Sequence, residues 1–365
     1  MYTNQNSKIL SDSTLRSRLS FPDGLRGIAA FWVVLFHMAE GHHIDKIKSV
    51  LPNFLYTPIF AWGDLGVAVF FVLSGFVMAL TAYKVKFNWK NSALFITRRL
   101  IRIVPPYYFA IAVALFLIFI KATALHLEYI PPSVIDFISH LFFLQGLLDT
   151  PLFNTVFWTL YIEIQFYIIF AGLLWISDSL QVNFNLPRAR ILVILLACGI
   201  ALLWPLNIVS TTFWGGSFVQ HWYSFLAGVI VCWGWLDKSA LLKQAVFYCL
   251  LIFVAGIFYK SGFMLAVALT AGGLLFASSR NMLSFWLSWP WLQFLALISY
   301  SLYLLHNPIT GASFNITDKL FHNSLISEII GLNVSLAVCV AISYISFLLI
   351  ESPSIKWSHK VSLKK

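Results

Sequence analysis

Ten residues lie between Arg26 and His37 within FPDGLRGIAAFWVVLFH, an apolar stretch in which a guanidinium and an imidazole both need a reason to be present. On a helix rising about 1.5 Å per residue the two groups are about 16 Å apart along the axis. That separation suits a long substrate held by its charged end at one site while a proton is moved at the other. Arg98, Arg99 and Arg102 fall within one helical turn in TRRLIRIVPPYY, and guanidinium forks match phosphate oxygens. Glu163, in FWTLYIEIQFY, is the one acidic residue well inside an apolar run. A charge at that depth costs about 2.5–3.5 kcal/mol and is retained where it meets a partner or a watery cavity.

Each group also has a plainer reading. The arginines can anchor lipid phosphates, and Glu163 can be half of a structural ion pair. His37 and His306, the latter closing ISYSLYLLH, can be interfacial aromatics. Asp64 opens GDLGVAVFFVLSGF, in which Ser74 and Gly75 read as close-packing positions. Trp158, Trp214 and Trp222 suit stacking on sugars, with interfacial anchoring as their default role.

The elements that must position these groups are helices in lipid. Of 365 residues 60% are hydrophobic and 10% charged, and apolar runs near twenty residues recur from end to end. The expected fold is all-α: a polytopic integral membrane protein of about ten transmembrane helices. Spans are expected near 22–40, 59–82, 104–121, 155–177, 190–206, 217–236, 243–259, 262–279, 291–309 and 328–350, with an interfacial helix in 133–149. Residues 1–21 read as a cytoplasmic tail without a signal-peptide h-region, 22–353 as the transmembrane domain, and 354–365 as a basic cytoplasmic tail. With both termini inside, nineteen Lys and Arg fall on the cytoplasmic side and five outside. The net charge of +10 then reports that bias and not nucleic-acid binding. The four cysteines lie singly in apolar runs and suggest neither metal nor disulfide. This topology puts Arg26, Arg99 and Arg102 at the inner face, and His37, Glu163 and His306 together in the outer half.

The chain resembles the acyltransferase-3 superfamily, multi-pass enzymes that transfer acyl groups to sugars and other acceptors. The resemblance runs through PDGLRGIAAFWVVLFH, FFVLSGF, RRLIR, WTLYIEIQFY, SYSLYLLH and the closing Glu351-Ser352-Pro353, in the family's order. It departs where the family often has two adjacent acidic residues, since Ile164 follows Glu163, and where larger relatives carry a C-terminal esterase-like domain.

The resemblance implies an O-acyltransferase that moves an acyl group, usually acetyl, from cytoplasmic acyl-CoA to a hydroxyl of a surface polysaccharide or lipid-linked sugar. Acyl-CoA is a co-substrate on this reading; no permanently bound cofactor and no metal are expected. Arg99, Arg102 and Arg26 would hold the donor phosphates. His37 would act as general base or transient acyl carrier, with Glu163 orienting the imidazole. Trp158, His306 and Asp64 would lie on the acceptor side. The expected location is a bacterial inner membrane. The competing class is a proton-coupled transporter or exporter of a small solute, which also places His, Glu and Arg inside a helical bundle.

Overall fold

Hydrocarbon offers no partner for backbone N–H and C=O groups, so apolar runs of this length satisfy themselves as helices. The computed structural model describes residues 19–124, 126–186, 188–210, 216–237, 241–322 and 324–363. Residues 1–18, most of the expected N-terminal tail, and Trp214 lie outside the described residues. Among the described residues there is no strand. Helices of eight or more residues are α1 (Ser20–Glu40), α2 (Gly66–Ala82), α3 (Trp89–Ala124), α4 (Val134–Leu141), α5 (Trp158–Asn183) and α6 (Ala189–Ala201). They continue with α7 (Trp222–Leu236), α8 (Leu242–Phe258), α9 (Gly262–Ser279), α10 (Pro290–Phe321), α11 (Leu325–Ser346) and α12 (Ser352–Lys360).

Each of the ten expected windows falls on a helix. Among the described residues, five helical stretches are long and apolar enough to cross a membrane: Asn53–Ala82, Trp89–Ala124, Thr155–Asn183, Gly262–Ser279 and Leu325–Lys360. The segment 133–149 contains the short α4, opened by a capping box between Ser133 and Asp136. Val134, Ile135, Phe137 and Ile138 on α4 are exposed, as on a helix lying at an interface.

α3 runs straight through Pro105 and Pro106. The prolines withhold the N–H donors due to the Ile101 and Arg102 carbonyls; on the same turn Tyr300 donates to the Ile103 carbonyl at 3.0 Å, which ties α3 to α10. The Arg-x-x-Arg pair is therefore rigidly joined to a 36-residue helix.

The core is set by close backbone approaches. A Cβ at Gly75 would lie 1.9 Å from the Phe225 carbonyl oxygen, and one at Gly228 would lie 1.9 Å from that of Val72, so α2 and α7 cross with glycine on both sides. α1 lies between α10 and α2, and its Gly27 faces the α10 backbone at Leu292 and Ala296. Two buried anchors brace the ends. Arg190 pairs with Asp178, whose carboxylate also accepts the Phe87 amide at 2.6 Å. Near the His37 end of α1, Glu328 accepts the amides of Lys46 and Ile47 at 3.0 and 2.8 Å, which fixes the short helix Asp45–Val50 against α11.

Candidate active site

A cavity of about 590 Å³ lies between α1, α2, α3, α5, α10 and the turn leading into α12. That is within the range of sites that enclose a small-molecule ligand. Arg26, Arg99, Arg102 and Glu163 all line it, together with Asp23, Ser74, Tyr167, Tyr303 and Glu351. Arg26 lies 3.6 Å from Asp23. Arg99 donates to the Thr81 hydroxyl at 2.9 Å and stands over the rings of Phe95 and Tyr167, 5.8 Å from each centroid. Glu163 accepts from Ser74 Oγ at 2.6 Å and from the Tyr167 hydroxyl. Glu351 accepts from the Ser301 hydroxyl at 2.7 Å and the Ser301 amide at 3.2 Å. Three carboxylates thus stand among three arginines, which is how charge is carried inside a helical bundle.

His37 does not line this cavity. Its Nδ1–H donates to Glu40 Oε2 at 2.7 Å, which leaves Nε2 as the basic lone pair of a neutral ring. The His306 ring lies beside it, with centroids 5.1 Å apart. His306 is fully buried, and its Nδ1–H donates to the carbonyls of Leu302 and Tyr303 at 3.0 and 2.9 Å. Its Nε2 is buried with no hydrogen-bond partner among the described residues. Such a group costs free energy unless it acquires a partner, and two neighbouring imidazoles therefore offer two basic nitrogens. Asp64 lies in the turn that opens α2 and is not among the residues lining the cavity.

Tyr303 connects the two halves. It lines the cavity, its ring centroid is 6.1 Å from that of His306, and its hydroxyl shares a 2.9 Å hydrogen bond with Thr159. Phe70, also lining the cavity, packs edge-on against the Tyr303 ring at 5.4 Å.

The expected grouping is thus corrected at one residue. Arg26, Arg99 and Arg102 come together, and so do His37 and His306, but Glu163 belongs to the arginine cavity and does not orient His37. The physical reason is a register one: Glu163 is directed at Ser74 on α2 and at Tyr167, one turn on in its own helix. The carboxylate that meets the His37 ring is Glu40. It is three residues from His37, on the same face of α1, a spacing that the sequence displays. Trp158 packs against Phe71 and His221, at centroid distances of 6.1 and 5.5 Å, and is not among the residues lining the cavity. Trp222 is 8% exposed and meets Phe218 edge-on, so its face is not open to a sugar.

The model of a family described as an acyltransferase domain, of the acyltransferase-3 type, matches residues 19–347. The chain belongs to that family. It is a membrane acyltransferase, and the Arg cavity and histidine pair both lie almost entirely on helices within the matched span. Glu351 and α12 lie just beyond it. No match was found among curated proteins or among solved structures.

Proposed function

We propose that the protein is an O-acetyltransferase that takes acetyl from cytoplasmic acetyl-CoA and delivers it to a hydroxyl of a surface polysaccharide or lipid-linked sugar at the outer face of a bacterial inner membrane. The observation that carries this reading is the adjacency of an arginine-lined cavity to a carboxylate-held histidine through Tyr303 and His306. On this reading about ten helices span the membrane, both termini are cytoplasmic, and the Arg26 end of α1 faces the cytoplasm. Arg26, Arg99 and Arg102 bind the donor phosphates, and the pantetheine arm runs past Glu163 towards Tyr303.

In the reaction, His37 Nε2 accepts the proton of the acceptor hydroxyl as its oxygen attacks the thioester carbonyl. The carbon–sulfur bond breaks, the CoA thiolate leaves, and the imidazolium returns the proton to the sulfur. Glu40 holds the tautomer and offsets the transient positive charge on the ring, the role a carboxylate plays beside a catalytic imidazole. Acetyl is the acyl group, and a surface glycan the acceptor, that the family resemblance implies.

Mass spectrometry of surface glycans tests this. Cells producing the protein should carry acetylated glycan that is absent from cells lacking it and from cells producing His37→Ala. Identical glycan profiles in all three would contradict the proposed activity.

A further inference from the structure

The cavity is completed at its solvent end by α12, nine residues that follow the π-turn Phe347–Glu351 and lie beyond the family match. Ser352, Ile355, Lys356 and His359 line the cavity. They are spaced i, i+3, i+4 and i+7, which is one helical face. The opposite requirement is met locally: Ser354 and Ser358 are buried and donate back to Ile350 and Ile355 carbonyls, each at 2.7 Å. α12 packs on α3, where Arg98 Nη2 lies 2.9 Å from His359 Nδ1. A guanidinium has only donors, so Nδ1 accepts and the ring proton is on Nε2.

The charges sort by depth. Glu351 is 2% exposed, whereas Lys356 and His359 are exposed at the mouth. Among the lining residues Arg26, Arg99 and Arg102 are matched in number by Asp23, Glu163 and Glu351. Lys356 is the surplus cation, and it makes no ion pair among the described residues. Among the described lining residues, a polyanion entering the cavity therefore finds the unbalanced positive charge on α12.

We propose that α12 forms the subsite for the phosphomonoester at the nucleotide end of acyl-CoA, with Lys356 as its cation. The inference rests on the reading of the cavity as the acyl-CoA site. It follows from the order of groups in that donor: with the thioester deepest and the diphosphate at the half-buried arginines, the adenosine and its phosphomonoester remain at the mouth. An ammonium on a flexible stem suits a phosphomonoester as a point charge.

Full-length protein in nanodiscs of zwitterionic lipid, titrated with CoA and with dephospho-CoA, which lacks only that phosphate, provides the test. Wild-type protein should bind CoA about tenfold more tightly, the scale of one charge-assisted contact. Lys356→Gln should abolish the preference while leaving dephospho-CoA affinity within about twofold, and Lys356→Arg should retain it. Equal affinity of the wild type for both ligands would overturn the proposal alone, as would an equal loss for both in Lys356→Gln. Binding of neither ligand would remove it together with the acyl-CoA reading. If Lys356→Gln kept full CoA affinity but lost retention on phosphatidylglycerol vesicles, the cation would belong to lipid headgroups and the proposal would fall.

Discussion

His37 carries the chemistry of this account because of what surrounds its two nitrogens. Nδ1 is committed to Glu40, and Nε2 is left basic beside a second, fully buried imidazole whose own Nε2 lacks a partner. Glu40 and Glu163 stand in different surroundings, one on the His37 ring and the other on Ser74 and Tyr167. Glu40→Gln should lower kcat by about 10²–10⁴ with little change in the KM for acetyl-CoA, because it removes orientation and charge support from the base. Glu163→Gln should act chiefly on donor KM, since Glu163 stands among Arg26, Arg99, Ser74 and Tyr167. Steady-state kinetics of the two variants separates these outcomes, and the reverse pattern would return Glu163 to the histidine. The Arg26–His37 spacing and the Arg-x-x-Arg pair were readable in the sequence because their residue types are anomalous in apolar runs. The Glu40 role was not, because a glutamate at the end of a helix is ordinary. Glu351 was visible only as a motif residue, since its contact with Ser301 spans fifty residues of sequence.

At the scale of elements, the glycine crossing of α2 and α7 matters most, because α2 presents Phe70, Phe71 and Ser74 to the cavity. Gly228→Ala would drive a methyl group into the Val72 carbonyl, and Gly75→Ala one into that of Phe225. Backbone cannot rotate away as a side chain does, so each substitution should cost about 1–3 kcal/mol or more by overpacking. Thermal unfolding in detergent should show both variants melting below wild type, whereas Gly172→Ala, where a Cβ meets nothing within 4 Å, should leave the melting temperature unchanged. Equal melting of all three would contradict this packing. Helix positions were legible from apolar run length, since hydrocarbon allows few alternatives. The continuity of α3 through Pro105 and Pro106 was not, because two adjacent prolines without N–H donors read locally as a helix break. Nor could periodicity show that Glu163 turns towards α2.

For the whole molecule, the account joins a phosphate-binding end to a proton-accepting end through one bundle. The distribution of basic residues suggested which end faces the cytoplasm, and the separation of Arg26 from His37 along α1 sets the reach required of the acyl arm. What one sequence could not display is that the arginines of α1 and α3 share a cavity with the C-terminal turn, while the histidines of α1 and α10 meet beside it. The most direct test of the central claim offers acetyl-labelled acetyl-CoA to inside-out membrane vesicles containing wild-type protein or His37→Ala, and measures label on glycan alongside donor binding. The account predicts labelled glycan with wild-type protein and none with His37→Ala, whose donor affinity stays within about twofold of wild type. Transfer of label by His37→Ala at the wild-type rate would contradict it.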